Sequence, residues 1–581
     1  MNRMQLQSSP RLTLRRLLNF GVSSLLVFST VLSLDAKTIN IDSQQSFDQA
    51  HDNAAVNDTL VWLNGTYEDI FMEITEDRLY IRAETLGNVI FTGASRVDIR
   101  GDFITLEGFQ FLGGDIGDRD VINTRGSFNV FTEINIKDYI SYKYLRVREE
   151  SRFAEITYCN FENRLNLDDQ NILSILVDEN NPGFHKIQFC SFKNFDGTGN
   201  DLGIEPIRIG VSTQADFISR TLVEYCYFTQ CNGDGELISS KATQNVYRFN
   251  TFEDNPRAEL VLRHGSENIV YGNFFIRGKG GVRVREGQDH YIYNNYFYEL
   301  DDRTIFLQNE DDDPLDNINI AFNTVVSSSE IILGGTGGDR PTNVTFANNI
   351  FTDPDDDLFE DRTGTETWIG NIAFGDLGIT TPSSGLTVID PKLTENSAGF
   401  MGLSEDSPAI DAAQPGFTEL PQFEGMEPVD TEVLFDLMGQ NRPSQIEERD
   451  LGANEFPHEI LIQPLATEEN TGPSYIRETT TSVQSNLVIV EDLIDINPNP
   501  VTNKINVIIR SENQGDLTID LFNTTGVRVR SIADPSNLRG ATIISNDISD
   551  LPSGLYTLRA ISKEHSDGKR QIQSIKFVIA R

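Results

Sequence analysis

Along the middle of the chain, short apolar stretches are each followed by Asn or Cys, one intervening residue, and Phe or a substitute. The unit reads Cys159-Asn-Phe161, Cys190-Ser-Phe192, Cys226-Tyr-Phe228 and Asn250-Thr-Phe252, then Asn273-Phe-Phe275, Asn295-Tyr-Phe297, Asn323-Thr-Val325 and Asn349-Ile-Phe351. Successive units lie 31, 36, 24, 23, 22, 28 and 26 residues apart, a spacing that marks a solenoid. Strand patterns such as Val246-Tyr-Arg-Phe249 and Ile269-Val-Tyr271 precede several units, and helical periodicity is weak. One coil is too small to bury its own apolar face, so coils must stack and share a core. The expected fold is all-β: a right-handed parallel β-helix with Phe, Ile and Val in columns and an Asn at each turn bonding backbone groups of the next coil. Three of the four Cys fall at the ladder position and fit there as small buried residues. The uneven steps imply loops inserted at certain turns, where such folds place their chemistry. Val61-Trp-Leu-Asn-Gly-Thr-Tyr67 and Leu79-Tyr-Ile-Arg-Ala83 read as early coils. The stretch from Asp390 to Glu455 reads as a run-out off the last one.

The ends differ from the middle. Arg3, Arg11, Arg15 and Arg16 precede an apolar run from Leu17 to Leu34, and Ala36 supplies a small residue for cleavage. Residues 1–36 therefore read as an export signal, which leaves 37–456 as the β-helix. Residues 457–490 hold a tract rich in Thr, Ser, Glu, Asn and Pro and read as a linker. Residues 491–581 form a small unit of alternating strands, among them Ile505-Asn-Val-Ile-Ile509 and Leu517-Thr-Ile-Asp-Leu-Phe522.

Charge constrains partners. With 47 Lys and Arg against 88 Asp and Glu, the formal charge is −41, so nucleic acid is excluded as a ligand of the general surface. The same arithmetic argues against a polyanionic substrate. One window departs from it: Lys193 to His290 holds 11 Lys and Arg against 13 Asp and Glu, a net of −2. Four Cys with no CxxC spacing make neither a disulfide framework nor a structural zinc site. The acidic runs Glu310-Asp-Asp-Asp313 and Asp355-Asp-Asp357 read as solvated loop tips.

Inside that window lies Asn232-Gly-Asp-Gly-Glu-Leu-Ile-Ser-Ser-Lys241. On a strand Asp234 and Glu236 share a face, and two such carboxylates repel unless a cation sits between them. Hard oxygen ligands of this kind suit Ca²⁺. Lys241 follows five residues after Glu236, and Arg263 comes 22 residues later, about one coil, which puts it beside Lys241. Arg208, Arg283 and Arg285 can add to the patch, and Arg283 and Arg285 alternate with Val so that both face one way. His264 and His290 are further candidates for substrate contact.

Here the residues resemble a family. Asn232 to Lys241, Leu262-Arg-His-Gly265, Gly272-Asn-Phe-Phe275, Gly280-Gly-Val-Arg-Val284 and Asn294-Asn-Tyr-Phe297 are similar to polysaccharide lyase family six, as are Gly199-Asn200 and Ile207-Arg-Ile-Gly210. That family contains alginate lyases and chondroitinase B. The resemblance implies Lys241 as Brønsted base, Arg263 as Brønsted acid, and Asp234, Glu236 and Asn200 as calcium ligands, with Glu205 the substitute for Asn200. Asp234 stands where Glu is usual, which shortens a ligand by one methylene. The implied reaction is β-elimination on a uronic-acid polysaccharide. Gly280-Gly-Val-Arg-Val284 looks more like the alginate-cleaving members; a chondroitin or dermatan sulfate lyase, or a non-catalytic glycan-binding β-helix, are the alternatives. At the far end, Ile496-Asn-Pro-Asn-Pro500, Gly526-Val-Arg-Val529 and Leu551-Pro-Ser-Gly-Leu-Tyr556 resemble the C-terminal sorting domain of the type IX secretion system. That implies the secretion machinery as a partner, passage through the periplasm and a secreted or cell-surface location. A monomer or homodimer is expected.

Overall fold

The strands are short because each coil turns three times. The computed structural model describes residues 36–166, 170–197, 203–309, 314–335, 340–361, 364–396, 399–426, 429, 433–457 and 465–477, together with segments between 487 and 579. The expected export signal, apart from Ala36, lies outside these residues. Most coils contribute one strand to each of three parallel sheets, of 14, 14 and 12 strands. Sheet one runs from Thr38–Ile41 to Thr367–Ile369, sheet two from Gly65–Glu68 to Leu386–Val388, and sheet three from Phe71–Ile74 to Phe359–Asp361. The chain is thus the parallel β-solenoid its repeat predicts.

Register comes from the Asn-x-Phe unit. Phe161, Phe192, Phe228, Phe252, Phe275 and Phe297 are paired in one column of sheet two. Their rings stack at 4.7 to 5.1 Å, which is the spacing of hydrogen-bonded strands. Ahead of them the Asn ladder runs from Asn250 to Asn371. The backbone N–H of Asn273 donates to Asn295 Oδ1 at 2.9 Å, and Asn273 Nδ2 donates to the Tyr247 carbonyl at 2.9 Å. Cys159, Cys190 and Cys226 continue this column, and the Cys226 N–H donates to Asn250 Oδ1 at 3.0 Å. All four Cys are free and buried.

The N-terminal end of the stack is closed by a helix, Gln44–Asp52, whose Ser43 and Ser46 form a reciprocal cap. Phe47 on its buried face stacks on Trp62, covering apolar surface that a bare first coil would expose.

The segment after the last coil does not run off the end. It folds back, laying Leu403, Ala409 and Phe423 on outward residues of sheet one such as Leu222, Ile269 and Tyr293. Phe400, Leu437 and Met438 pack on Phe274, Ile276 and Tyr296 of sheet two. Neither apolar cluster includes a residue of sheet three, so the third face keeps its outward side chains for other uses.

The expected linker is only partly a linker. Residues 465–477 form a strap across sheet two and its corner. Lys193 Nζ binds Glu468 Oε1 at 2.7 Å, the Gly472 N–H donates to the Phe189 carbonyl, and the Ser474 N–H donates to Glu133 Oε2. Tyr475 reaches the Phe109 and Glu133 carbonyls, and its ring occupies the place a Cβ at Gly87 would need. Beyond it, two small, mainly antiparallel sheets enclose Ile505, Val507, Ile519, Leu521 and Leu558. The acidic run at Asp355–Asp357 falls at the end of the strand Ile350–Asp357, where a bulge between Asp353 and Asp357 interrupts the ladder; Glu310 to Asp313 lies outside the described residues.

Candidate active site

Four successive strands of sheet three build the site: Ile207–Ile209, Glu236–Lys241, Glu259–His264 and Gly280–Val284. Alternation buries Ile207, Ile209, Ile238, Leu260, Leu262, Val282 and Val284 inward and turns the polar positions outward. Register then sorts the outward groups into rows. Glu236 pairs with Glu259 at the strand starts, Arg208 with Ser239 and Val261 with Arg283 in the middle, and Lys241 with His264 at the ends, where a register shift intervenes.

The carboxylate row is deeply buried and held by guanidiniums. Glu236 is 2% exposed; its Oε1 receives Arg263 Nη1 at 2.5 Å and Arg283 Nη2 at 3.3 Å. Burial alone would push the Glu236 carboxyl up, but the Arg263 charge foremost, with the Ser239 hydroxyl and the Arg283 charge beside it, outweighs burial and holds it below the usual range. Arg208 Nη2 lies 2.6 Å from Glu205 Oε2. Glu205 is still pushed up to about 7, by burial first and then by the negative charge of Asp234 and Glu236.

Lys241 is half-buried, and its pKa falls below the ordinary value. Desolvation is the main cause, with the Arg208 and Arg263 charges adding to it and Glu205 and Glu236 opposing. Arg263 is shifted the other way: burial lowers it, but Glu236 more than compensates. His264 Nδ1 sits 2.5 Å from Glu286 Oε2.

The structure therefore brings together Lys241, Arg263, Arg208, Arg283, Asp234 and Glu236, with His264 at the edge. It does not bring His290 there. His290 is fully buried within the sheet-one strand Gly287–Tyr293. Its Nδ1 accepts from the Asn268 N–H at 3.3 Å and its Nε2 donates to the Glu286 carbonyl at 3.1 Å. The position continues a second ladder, in which the Thr221 N–H donates to Asn245 and the Asn245 N–H to Asn268. His290 serves as the next acceptor, so its role is packing and not substrate contact. His185 plays the same part lower down, accepting from the Ala154 N–H. Asn200 lies outside the described residues, as do Asp201 and Leu202.

Glu259 and its partner Arg303 were not singled out by spacing. Glu259 is fully buried between Arg303, at 2.7 Å, and Arg283, at 3.3 Å. The signal for it was available: Glu259 lies 23 residues after Glu236, one coil on, in the same row.

For a cation, the site offers oxygen donors of the right chemistry but not a gathered ligand set. Asp234, Glu236 and Glu205 are buried oxygen donors close enough to perturb one another, and Glu236 Oε2 is buried with no hydrogen-bond partner. Asp234 is already anchored, accepting from the Gly203 N–H at 2.5 Å and the Glu236 N–H at 3.1 Å. Arginines occupy Glu205 and Glu236, and among the described residues no three His, Cys, Asp or Glu side chains are arranged around a common point.

The comparisons with known proteins agree with this architecture. The family model for chondroitinase B matches residues 41–333, half of the chain, and the chain belongs to that family, polysaccharide lyase family six. The model for the secretion system C-terminal sorting domain matches residues 495–574, which implies secretion or attachment to the cell surface. A mannuronic acid specific polysaccharide family 6 lyase from human gut microbiota is 25% identical, with a TM-score of 0.55, over 61% of this chain and 91% of that one. The PL6 family alginate lyase AlyGC is 23% identical, with a TM-score of 0.58, over 64% of this chain; this chain spans 55% of it. A PL6 alginate lyase solved with a trisaccharide is 20% identical, with a TM-score of 0.55, over 64% and 92% of the two chains. The last two speak for the fold alone. No curated protein matches the chain.

Proposed function

We propose that this protein is an exported lyase that cleaves alginate by β-elimination, with Lys241 as base. The observation that carries the reading is Lys241 itself: half-buried, with a lowered pKa, on the strand beside Arg263. A lysine must be neutral to take a proton, and a cationic, partly dry setting favours that form. The likeness to alginate-cleaving family members supports the substrate.

The substrate proton to be removed is the uronate C5–H, which is a poor acid while its carboxylate is charged. Arg208 and Arg283 face the same surface as Lys241 and suit that carboxylate by charge and bidentate shape. Arg263 is tied to Glu236, which makes its own proton harder to lose. Protonation of the departing O4 therefore falls more naturally to a water polarised by Arg263 than to the guanidinium directly. Asp234, Glu236 and Asn200, or Glu205 in place of Asn200, would hold Ca²⁺, which would supply further neutralisation of the substrate carboxylate. His264, fixed by Glu286, can hydrogen-bond a sugar hydroxyl. The product carries a C4–C5 double bond. Export through the periplasm under a cleaved N-terminal signal completes the reading.

The test is ultraviolet absorbance during incubation with polymannuronate, polyguluronate, alternating alginate and dermatan sulfate. Rising absorbance on an alginate polymer that is lost in Lys241→Ala is the expected result. A rise on dermatan sulfate alone would move the assignment to a glycosaminoglycan lyase. Alginate binding without any rise would leave a glycan-binding β-helix. Full alginate activity after chelation would remove the calcium role.

A further inference from the structure

At or just beyond the end of successive sheet-three strands, the backbone places a single column along the solenoid. The Arg125 N–H donates to the Ile99 carbonyl, the Arg148 N–H to Thr124, the Leu176 N–H to Val147, and the Gly210 N–H to Ile175. Ile209 pairs with Ser240, so Lys241 comes next, and the Arg285 N–H donates to Leu262, which sets Arg285 beside Arg263. Read downward from Lys241, the column is Gly210, Leu176, Arg148, Arg125 and Arg100. Three arginines in consecutive coils thus share the row of the proposed base, beginning three coils below it. At the strand-to-strand spacing that is roughly 14 Å to Arg148 and roughly 24 Å to Arg100.

Ion pairing accounts for only part of such a stack. Like charges on adjacent strands repel. Arg100 is 56% exposed and pairs with Glu73 at 3.2 Å and Asp98 at 3.9 Å. Arg148 donates to a neutral group, Asn123 Oδ1 at 2.8 Å, with the Asp120 and Glu149 carboxylates in its field but no ion pair to either among the described residues. Arg125 has no ion pair among the described residues, and its Nη1 is buried without a hydrogen-bond partner. The chain as a whole is strongly acidic, so three stacked cations on the face left open by the return segment run against its average.

We propose that Arg100, Arg125 and Arg148 form a distal binding track for the same polyanionic chain whose cleavage is proposed at Lys241. A uronate polymer carries a carboxylate on every sugar, so its charge repeats along its length as the column does. The track would grip long chains and leave short ones to the catalytic strands alone. It rests on the lyase reading for its ligand but makes a separate claim about chain length.

The experiment compares binding of long-chain alginate and of alginate trisaccharide to full-length Lys241→Ala protein, with and without Arg100→Gln, Arg125→Gln and Arg148→Gln together. Long chains are expected to bind more tightly than trisaccharide, and the triple substitution to remove about tenfold of that advantage and to weaken its salt dependence. Equal binding of long and short chains before substitution, or an advantage that survives it, would overturn the track. Should the triple variant melt early, Arg148→Gln alone is read for a smaller loss in the same ratio. Absence of absorbance on every polymer would sink the lyase reading while leaving this binding result to stand or fall by itself.

Discussion

At the corner between sheets one and two, Asn273, Asn295, Asn323 and Asn349 each use the side-chain carbonyl as acceptor and the amide as donor to neighbouring coils. On the outward face of sheet three, the same stacking lines up Glu236 and Glu259 at equal depth. There Glu236 keeps one oxygen without a partner and Glu205 is pushed up to about 7. The repeat geometry is shared, and the chemistry is opposite. An amide carries its own donor and acceptor, so a stack of amides satisfies itself. A stack of carboxylates satisfies nothing without cations, and it must import them from other rows. The first stack holds the coils together; the second leaves fields that perturb Lys241.

That contrast can be broken at several points. Lys241→Ala should lower kcat/KM on the preferred polymer by about 10²- to 10⁴-fold, the range for loss of a positioned base, with little change in melting temperature. Glu236→Gln should lower activity and also cost about 3 kcal/mol of stability in denaturant titration, because Arg263 and Arg283 would lose a buried partner. Asn273→Ala should cost about 1–3 kcal/mol and leave the pH–activity curve in place; movement of that curve would show that the ladder is not inert.

The next test has opposite signs. Lys241 must be neutral to act, so activity rises with pH through its pKa. Removing the Arg208 charge favours protonated Lys241, and Arg208→Gln should move the rise to higher pH. Removing the Glu205 charge does the reverse, and Glu205→Gln should move it lower. Shifts in one direction for both would refute the electrostatic account.

The smallest effect concerns the histidines in the second ladder. Burial pushes His290 down to about 4 and His185 down to about 3. The unfolded chain takes up these protons near pH 6.5, whereas the folded chain resists until far lower pH. Stability is therefore full above about 6.5 and is lost as pH falls toward 4. His290→Asn, which keeps an acceptor at the ladder position, should flatten the decline in melting temperature between those limits.

Much of this was legible before any coordinates. The Asn-x-Phe steps predicted the coils, and the Cys at ladder positions sit where spacing put them. Lys241, Arg263, Glu236 and Arg283 converge because coil length alone fixes their register. His290 was misread because a rare histidine in a charged window looks chemical, whereas its place in the ladder needs only an acceptor for the Asn268 N–H. Glu259 escaped notice because no motif surrounds it; its importance lies in a row, which is visible only once strands are aligned. The strap escaped because Thr, Ser, Glu and Pro read as linker by composition, while its hold depends on one ring at Tyr475 and on single contacts at Glu468 and Gly472.

That strap also fixes where mechanical load enters the molecule. A pull on the C-terminal sorting domain, as during passage across a membrane or tethering at a surface, reaches the solenoid through Arg477, which lies over the Tyr158 ring, and through Tyr475 and Gly472. It is then carried by the coils of Phe109, Glu133 and Phe189. Those coils precede the strands from Glu236 to Val284. Tension along the tail is taken up below the charged face, and the strands bearing Lys241 and Arg263 stay outside the path of the force.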